Sequence, residues 1–186
     1  MNILALIPAR MGSSRFPGKP LAKILDKPMI GHVYDGVRKC KILKQTVVAT
    51  CDQEIADYIV SLDGQAVMTG DYHHRATERC AEALEILEEN EKIKYDIIVM
   101  VQGDEPMIDP KMISEGLQPI LNDSTIQITN LMGKIKTDVE FKDSSIDGEY
   151  NEFCQLVKST ELEVVDTITT TRLHAEPRFF VGKGKV

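Results

Sequence analysis

Asn2–Ile7 constrains the fold of this chain more than any other segment, because every position from Ile3 to Ile7 is apolar. A strand with one face in water alternates apolar and polar residues, whereas an unbroken run suits a strand covered on both faces, as in a parallel sheet. Tyr95–Val101 (YDIIVMV) is a second such run, and the most apolar of the strand candidates. Gln45–Thr50, Gln65–Thr69 and Thr125–Leu131 read as further strands. Between them lie stretches of helical character. Met29–Lys39 carries Met29, Ile30, Val33 and Val37 on one face, and Cys51–Ser61 has Asp52 placed to cap its start. Thr77–Asn90 and Pro110–Leu121 complete the set. Strands alternating with helices imply βαβ units with right-handed connections. The expected fold class is therefore α/β, a three-layer αβα sandwich around a mainly parallel sheet.

A length of 186 residues suits one domain. The alternation is clear to about residue 132 and weakens afterwards. Residues 133–186 form a divergent C-terminal segment, with Glu163–Thr171 as a β-branched strand candidate. Asp and Glu outnumber Lys and Arg by 29 to 22, which argues against a general nucleic-acid-binding surface and requires any anionic substrate to find a local basic site. Cys40, Cys51, Cys80 and Cys154 show no short pair spacing, so neither a disulfide framework nor a zinc site is expected. Reduced thiols fit a cytoplasmic protein. The N-terminal apolar run lacks a preceding basic region and reads as a strand rather than a signal peptide. No apolar run approaches the roughly 20 residues of a membrane span.

Three segments carry chemistry. The first is IPARMGSSRFPGKPL, residues 7–21, directly after the first strand. Ligand loops in open α/β sheets lie outside the carboxyl ends of strands. Arg10, Arg15 and Lys19 supply cations, Gly12 and Gly18 allow close backbone approach, and Ser13 and Ser14 add hydroxyls. Together they make a polyphosphate cradle, although the spacing is not that of a P-loop. A solvated basic loop is the plainer alternative. The second segment is VQGDEP, residues 101–106, where a strand end delivers Asp104 to the same edge. One carboxylate there suits Mg²⁺, which is commonly held by one or two carboxylates together with substrate phosphates and water. A helix cap or a solvent-facing acid is the alternative. The third is HHRATERCAE, residues 73–82. Adjacent His73 and His74 do not converge as metal ligands; base or sugar recognition competes with a capping Thr77 and a surface Arg79.

Taken together, these segments resemble the cytidylyltransferases that activate sugar acids, and most closely the CMP-Kdo synthetase (3-deoxy-manno-octulosonate cytidylyltransferase) family. The likeness runs along roughly residues 3–131. Arg15-Phe16-Pro17-Gly18-Lys19-Pro20-Leu21 follows the Kdo type of loop, Asp52 follows a VVAT strand as in the family, and VQGDEPMI matches almost word for word. The resemblance implies a Rossmann-like fold of the nucleotide-diphospho-sugar transferase type. It implies that Arg10, Arg15 and Lys19 bind the CTP triphosphate, with Ala9 and Ser13 adding loop contacts. Asp104 would bind Mg²⁺, Gln102 would lie near the sugar acid or the cytidine, and His73–Arg79, including Thr77, would border the cytosine. The implied reaction is attack of a sugar-acid hydroxyl on the α-phosphate of CTP, releasing pyrophosphate, for lipopolysaccharide or other surface-glycan synthesis.

Two departures stand out. Arg75-Ala76 replaces the family's usual Ser-Gly before Thr-Glu-Arg, and Gly70 stands where the family tends to carry Arg. The family's C-terminal part supplies a dimerisation segment, acceptor contacts and a second metal-binding Asp, none of which has a convincing match. NEFCQLVK and TITTTRL align loosely with acceptor-binding stretches, making Lys158 and Arg172 candidates; a hairpin with incidental charges fits equally, and a homodimer stays open. The alternatives to a Kdo-type acceptor are another acid, such as a nonulosonate or a phosphonate, or an inactive nucleotide-binding relative.

Overall fold

The computed structural model describes residues 1–12 and 16–131, and the backbone of 168–172. Ser13, Arg15 and Lys158 lie outside the described residues, as do Cys154 and most of the C-terminal segment. The chain divides into two compact units, Met1–Thr129 with Ile168–Val186, and Asn130–Thr167. The described residues belong to the first, apart from Asn130 and Leu131.

The central sheet is built from β1 (Ile3–Ala9), β4 (Gln45–Thr50), β5 (Gln65–Met68), β6 (Ile97–Val101), β7 (Ile128–Asn130) and β8 (Ile168–Arg172), in the order β5-β4-β1-β6-β8-β7. Four of these are parallel neighbours, β5 with β4, β4 with β1 and β1 with β6, while β8 runs antiparallel to β6. The helices are α1 (Met29–Val37), α2 (Gln53–Ser61), α3 (Ala76–Glu91) and α4 (Pro110–Asn122). A short hairpin, β2 (Lys23–Ile24) with β3 (Lys27–Pro28), leads into α1. Every residue of β1 is buried, as its unbroken apolar run requires. Leu4 and Leu6 pack with Val47, Ala49 and Val67 under Cys80, Ala83, Leu84 and Leu87 of α3. Alternation turns Ile3, Ala5 and Ile7 to the opposite face, where they are also buried. Helices α1 and α2 touch the same strands but add nothing to the α3 cluster, so they cover that other face. Among the described residues, no helix is long and apolar enough to cross a membrane.

The α/β expectation holds. Its boundaries shift in places for physical reasons. Pro8–Pro20 does not start as loop: β1 continues through Pro8 and Ala9, and Lys19–Leu21 forms a 3-10 turn. The ladder from β1 to β6 ends at Leu6, while that to β4 runs on to Ala9. Pro8 thus sits where the strand is paired on one side only, a position that tolerates a missing N–H. Strand β6 begins at Ile97 rather than Tyr95, and β7 keeps only Ile128–Asn130 of Thr125–Leu131. Asp52 occupies the cap position of α2, but its carboxylate makes no capping hydrogen bond. It accepts instead from the N–H of Met11, at 2.8 Å.

The chain runs from β1 outward to β4 and β5, then returns to place β6 on the other side of β1. The reversal point lies between the carboxyl ends of β1 and β6. In open α/β sheets that crevice is where ligands bind.

Candidate active site

The cleft at this reversal point has a volume of about 470 Å³. Its floor is made by Ala9, Arg10, Lys19, Gln102, Gly103 and Asp104, and its wall by His73 to Ala76 and Arg79. The two floor segments can approach because residue 103 is glycine: a Cβ there would lie 2.6 Å from the Pro8 carbonyl oxygen. Lys19 Nζ meets Asp104 Oδ2 at 2.6 Å, with the two side chains 35% and 44% exposed. Residues 85 positions apart are thereby joined across the cleft floor. The pair is open to solvent, so its worth is functional placement rather than stability.

The loop after β1 is closed on itself and tied to the sheet. The N–H of Gly18 donates to the Met11 carbonyl at 3.0 Å, and the Met11 N–H goes to Asp52. Asp52 therefore supports the loop. Its side-chain length suits a cap as well as a tether, and only the tertiary approach of β1 and β4 decides between them.

The wall is held from behind by α3. Arg79 is not a surface residue: it is 3% exposed, and Nη1 donates to Thr69 Oγ1 and to the Gly70 carbonyl at 3.1 Å. Its Nη2 is buried without a hydrogen-bond partner among the described residues while Arg79 lines the cleft, which leaves it available to an acceptor on a ligand. His73 brings its ring to Glu82, Nε2 to Oε2 at 2.5 Å, and its carbonyl accepts from Arg10 Nη1 at 3.4 Å. Burial alone would push the Glu82 carboxyl up; the Gly70 N–H, the His73 ring and the Tyr72 hydroxyl together hold it below the usual carboxylate range. Thr77 does not cap α3, whose N-cap is Arg75, with the Glu78 carboxylate accepting the Arg75 N–H at 3.2 Å. Nor is Thr77 among the cleft residues.

The structure thus gathers Ala9, Arg10, Lys19, His73, Arg79, Gln102 and Asp104 around one cleft. Arg172 is a correction. Antiparallel pairing puts Ile168 beside Val101 and Arg172 beside Ile97, at the end of β6 remote from Asp104. The cleft also includes Phe16, Met29 and His74, which sequence reasoning did not single out as ligand contacts. Phe16 and Met29 carry no chemical signal in sequence, and His74 was visible only as the neighbour of His73.

A single carboxylate, Asp104, beside the cations Arg10 and Lys19 fits the donor set Mg²⁺ takes when phosphates and waters supply the remaining ligands. Among the described residues there is no cluster of three or more His, Cys, Asp or Glu that would hold a metal by itself.

Comparison with known proteins agrees with this geometry. The chain is 44% identical over 136 residues to a 3-deoxy-manno-octulosonate cytidylyltransferase of Trichlorobacter lovleyi, covering 73% of this chain and 52% of the relative. It is 41% identical over 144 residues to the enzyme of the same name from Parabacteroides distasonis, covering 77% and 55%. The chain therefore spans about half the length of the curated relatives it matches. Among solved structures, a CMP:2-keto-3-deoxy-manno-octonic acid synthetase complexed with CTP superposes with a TM-score of 0.75 at 28% identity, covering 92% of this chain and 74% of that one. A 4-diphosphocytidyl-2C-methyl-D-erythritol synthase shares the fold, with a TM-score of 0.62 at 15% identity over 92% of this chain and 75% of that one. A sequence model described as cytidylyltransferase matches residues 4–146, and the chain belongs to that family.

Proposed function

We propose that this protein transfers CMP from CTP to a sugar acid of the 3-deoxy-manno-octulosonate class, releasing pyrophosphate. The observation that carries the reading is the Lys19–Asp104 pair at the β1/β6 crevice, which joins the cation-bearing loop to the carboxylate that polyphosphate chemistry requires. Arg10, Arg15 and Lys19 would bind the triphosphate, with Ala9 and Ser13 adding loop contacts. Asp104 would hold Mg²⁺, and Gln102 would face the acceptor or the cytidine. His73 and Arg79 would border the base, and Lys158 is a candidate acceptor contact. Mg²⁺, when bound, would offset charge on the phosphoryl oxygens. Arg10 and Lys19 would add to that from fixed positions, Arg10 already braced on the His73 carbonyl. Holding the acceptor hydroxyl in line with the α-phosphate supplies the rest, and no covalent nucleophile is needed. Such an enzyme would work in the cytoplasm, where CTP is made.

A second reading rests on Arg75, which lines the cleft where the family's usual Ser-Gly would leave it open. It keeps the chemistry and changes the acceptor to another acid. Pyrophosphate release from CTP and Mg²⁺, measured with 3-deoxy-manno-octulosonate, nonulosonates and phosphonates, separates the readings. Turnover with the first supports the main proposal, and turnover with another acid alone supports the second. CTP binding without turnover on any acceptor sinks both.

A further inference from the structure

We infer that Glu82 is a positioning residue of this site: its carboxylate gathers residues 70–73, which lead into the cleft wall, and, through the His73 carbonyl, orients Arg10 toward the triphosphate. The inference rests on the CTP-binding reading above.

Three groups of this segment converge on this one side chain. Glu82 Oε2 accepts from the Gly70 N–H at 2.8 Å and from His73 Nε2 at 2.5 Å, and Oε1 accepts from the Tyr72 hydroxyl at 3.4 Å. The His73 bond sets the ring's proton on Nε2. Arg79, one turn earlier on the same helix face, takes the complementary groups, Thr69 Oγ1 and the Gly70 carbonyl. Both the N–H and the C=O of Gly70 are therefore claimed by charged side chains of α3, anion to donor and cation to acceptor. Tyr72 folds back over Gly70 so closely that a Cβ there would lie 2.0 Å from its ring, which matches the absence of the family's Arg at this position. The Tyr72 and His73 rings lie 4.4 Å apart between centroids, so the segment is packed as well as bonded.

The clamp reaches the phosphate site through one contact. Arg10 Nη1 donates to the His73 carbonyl at 3.4 Å, near the outer limit of a hydrogen bond. A shift of a few tenths of an ångström at His73 breaks it. Arg10 is exposed on its loop, and among the described residues this hydrogen bond gives its guanidinium a direction. Glu82 is also separate from what holds α3 in place. The helix packs through Cys80, Ala83, Leu84 and Leu87, on the face that meets the sheet. Removing the Glu82 carboxylate releases the wall without opening the core.

The test is calorimetric CTP affinity, with Mg²⁺, for the full chain and for Glu82→Ala, Glu82→Gln, Arg10→Lys and the double variant Glu82→Ala with Arg10→Lys. Thermal melting and amide exchange at Gly70 are followed alongside. Glu82→Ala is expected to weaken CTP binding by about 10- to 100-fold, the range for losing a hydrogen bond to a charged group. Gly70 exchange should quicken while the melting temperature stays close to wild type. Glu82→Gln, which keeps an acceptor oxygen, should recover part of the affinity. In the Arg10→Lys background the Glu82→Ala effect should shrink to about twofold or less, because the group it orients is gone. Undiminished CTP binding by Glu82→Ala and Glu82→Gln, beside a wild type that binds, overturns the inference alone. So do additive effects of the Glu82 and Arg10 changes. A folded wild type that binds no CTP overturns the functional reading, and this inference with it.

Discussion

The floor and the wall of the cleft are built by opposite means. On the floor, Lys19 and Asp104 come from loops at two strand ends, are half-exposed, and find each other as free charges in solvent. At the wall, His73 and the Gly70–Tyr72 segment that leads into it are fixed from behind by Arg79 and Glu82, with Arg79 buried in α3. The floor carries the residues that match the family pattern, while the wall and the segment leading into it carry the departures, Gly70 and Arg75-Ala76. On the proposed function, phosphate chemistry would depend on where strand ends place charges, and discrimination between ligands on how a helix holds a loop.

The largest effects should come from the floor. Asp104→Ala is expected to reduce pyrophosphate release by about 10³-fold or more with an unchanged melting temperature, since the residue is exposed and packs in no core. An unaffected rate would remove Asp104 from the chemistry and undo the contrast. Lys19→Met should cost about 10²-fold in kcat/KM. It should also let Mn²⁺ bind more tightly without nucleotide, because the ammonium no longer competes for Oδ2; weaker Mn²⁺ binding would mean that Lys19 supports the metal position.

Changes to the wall should act more gently and on selectivity. Reverting Arg75-Ala76 to Ser-Gly is expected to alter the ratio of kcat/KM values across an acceptor panel by about tenfold, leaving the Asp104 dependence intact. Equal ratios before and after would take the wall out of specificity. The core beneath the wall offers a control. Leu84→Ala should cost about 2–5 kcal/mol in denaturant unfolding, as large buried side chains do, with little change in the KM for CTP of the folded fraction.

The smallest effect is acid-dependent. The Glu82 carboxyl is held below its usual range, so it contributes stability above the ordinary glutamate value and loses it as pH falls through the lowered one. Melting curves of wild type and Glu82→Gln should therefore differ slightly near neutrality and converge in acid, once pH has fallen through the lowered Glu82 value. A constant difference down to low pH would mean the carboxylate does not bind the wall as an anion.

Much of this molecule was legible before its structure. Apolar runs without alternation placed β1 and β6, and apolar residues on one helical face placed α1 and α3, because strand and helix preferences are local and repeat at fixed intervals. The Pro-Gly-cation loop and the Asp104 turn were readable as site elements for a related reason, since strand ends in a parallel sheet open onto one edge. Tertiary structure alone decided how those pieces join. Asp52 had the chemistry to cap α2, yet it tethers Met11 because β1 and β4 bring the two within 2.8 Å. Arg79 was open to two readings, a base- or sugar-recognising residue or a surface cation, and it is buried, since the Thr69 hydroxyl and the Gly70 carbonyl offer it acceptors that no spacing rule reveals. Arg172 seemed a candidate until antiparallel pairing carried it to the far end of β6. Residue type and local period are properties of neighbours along the chain. Which donor meets which acceptor is settled by close packing between elements far apart in sequence.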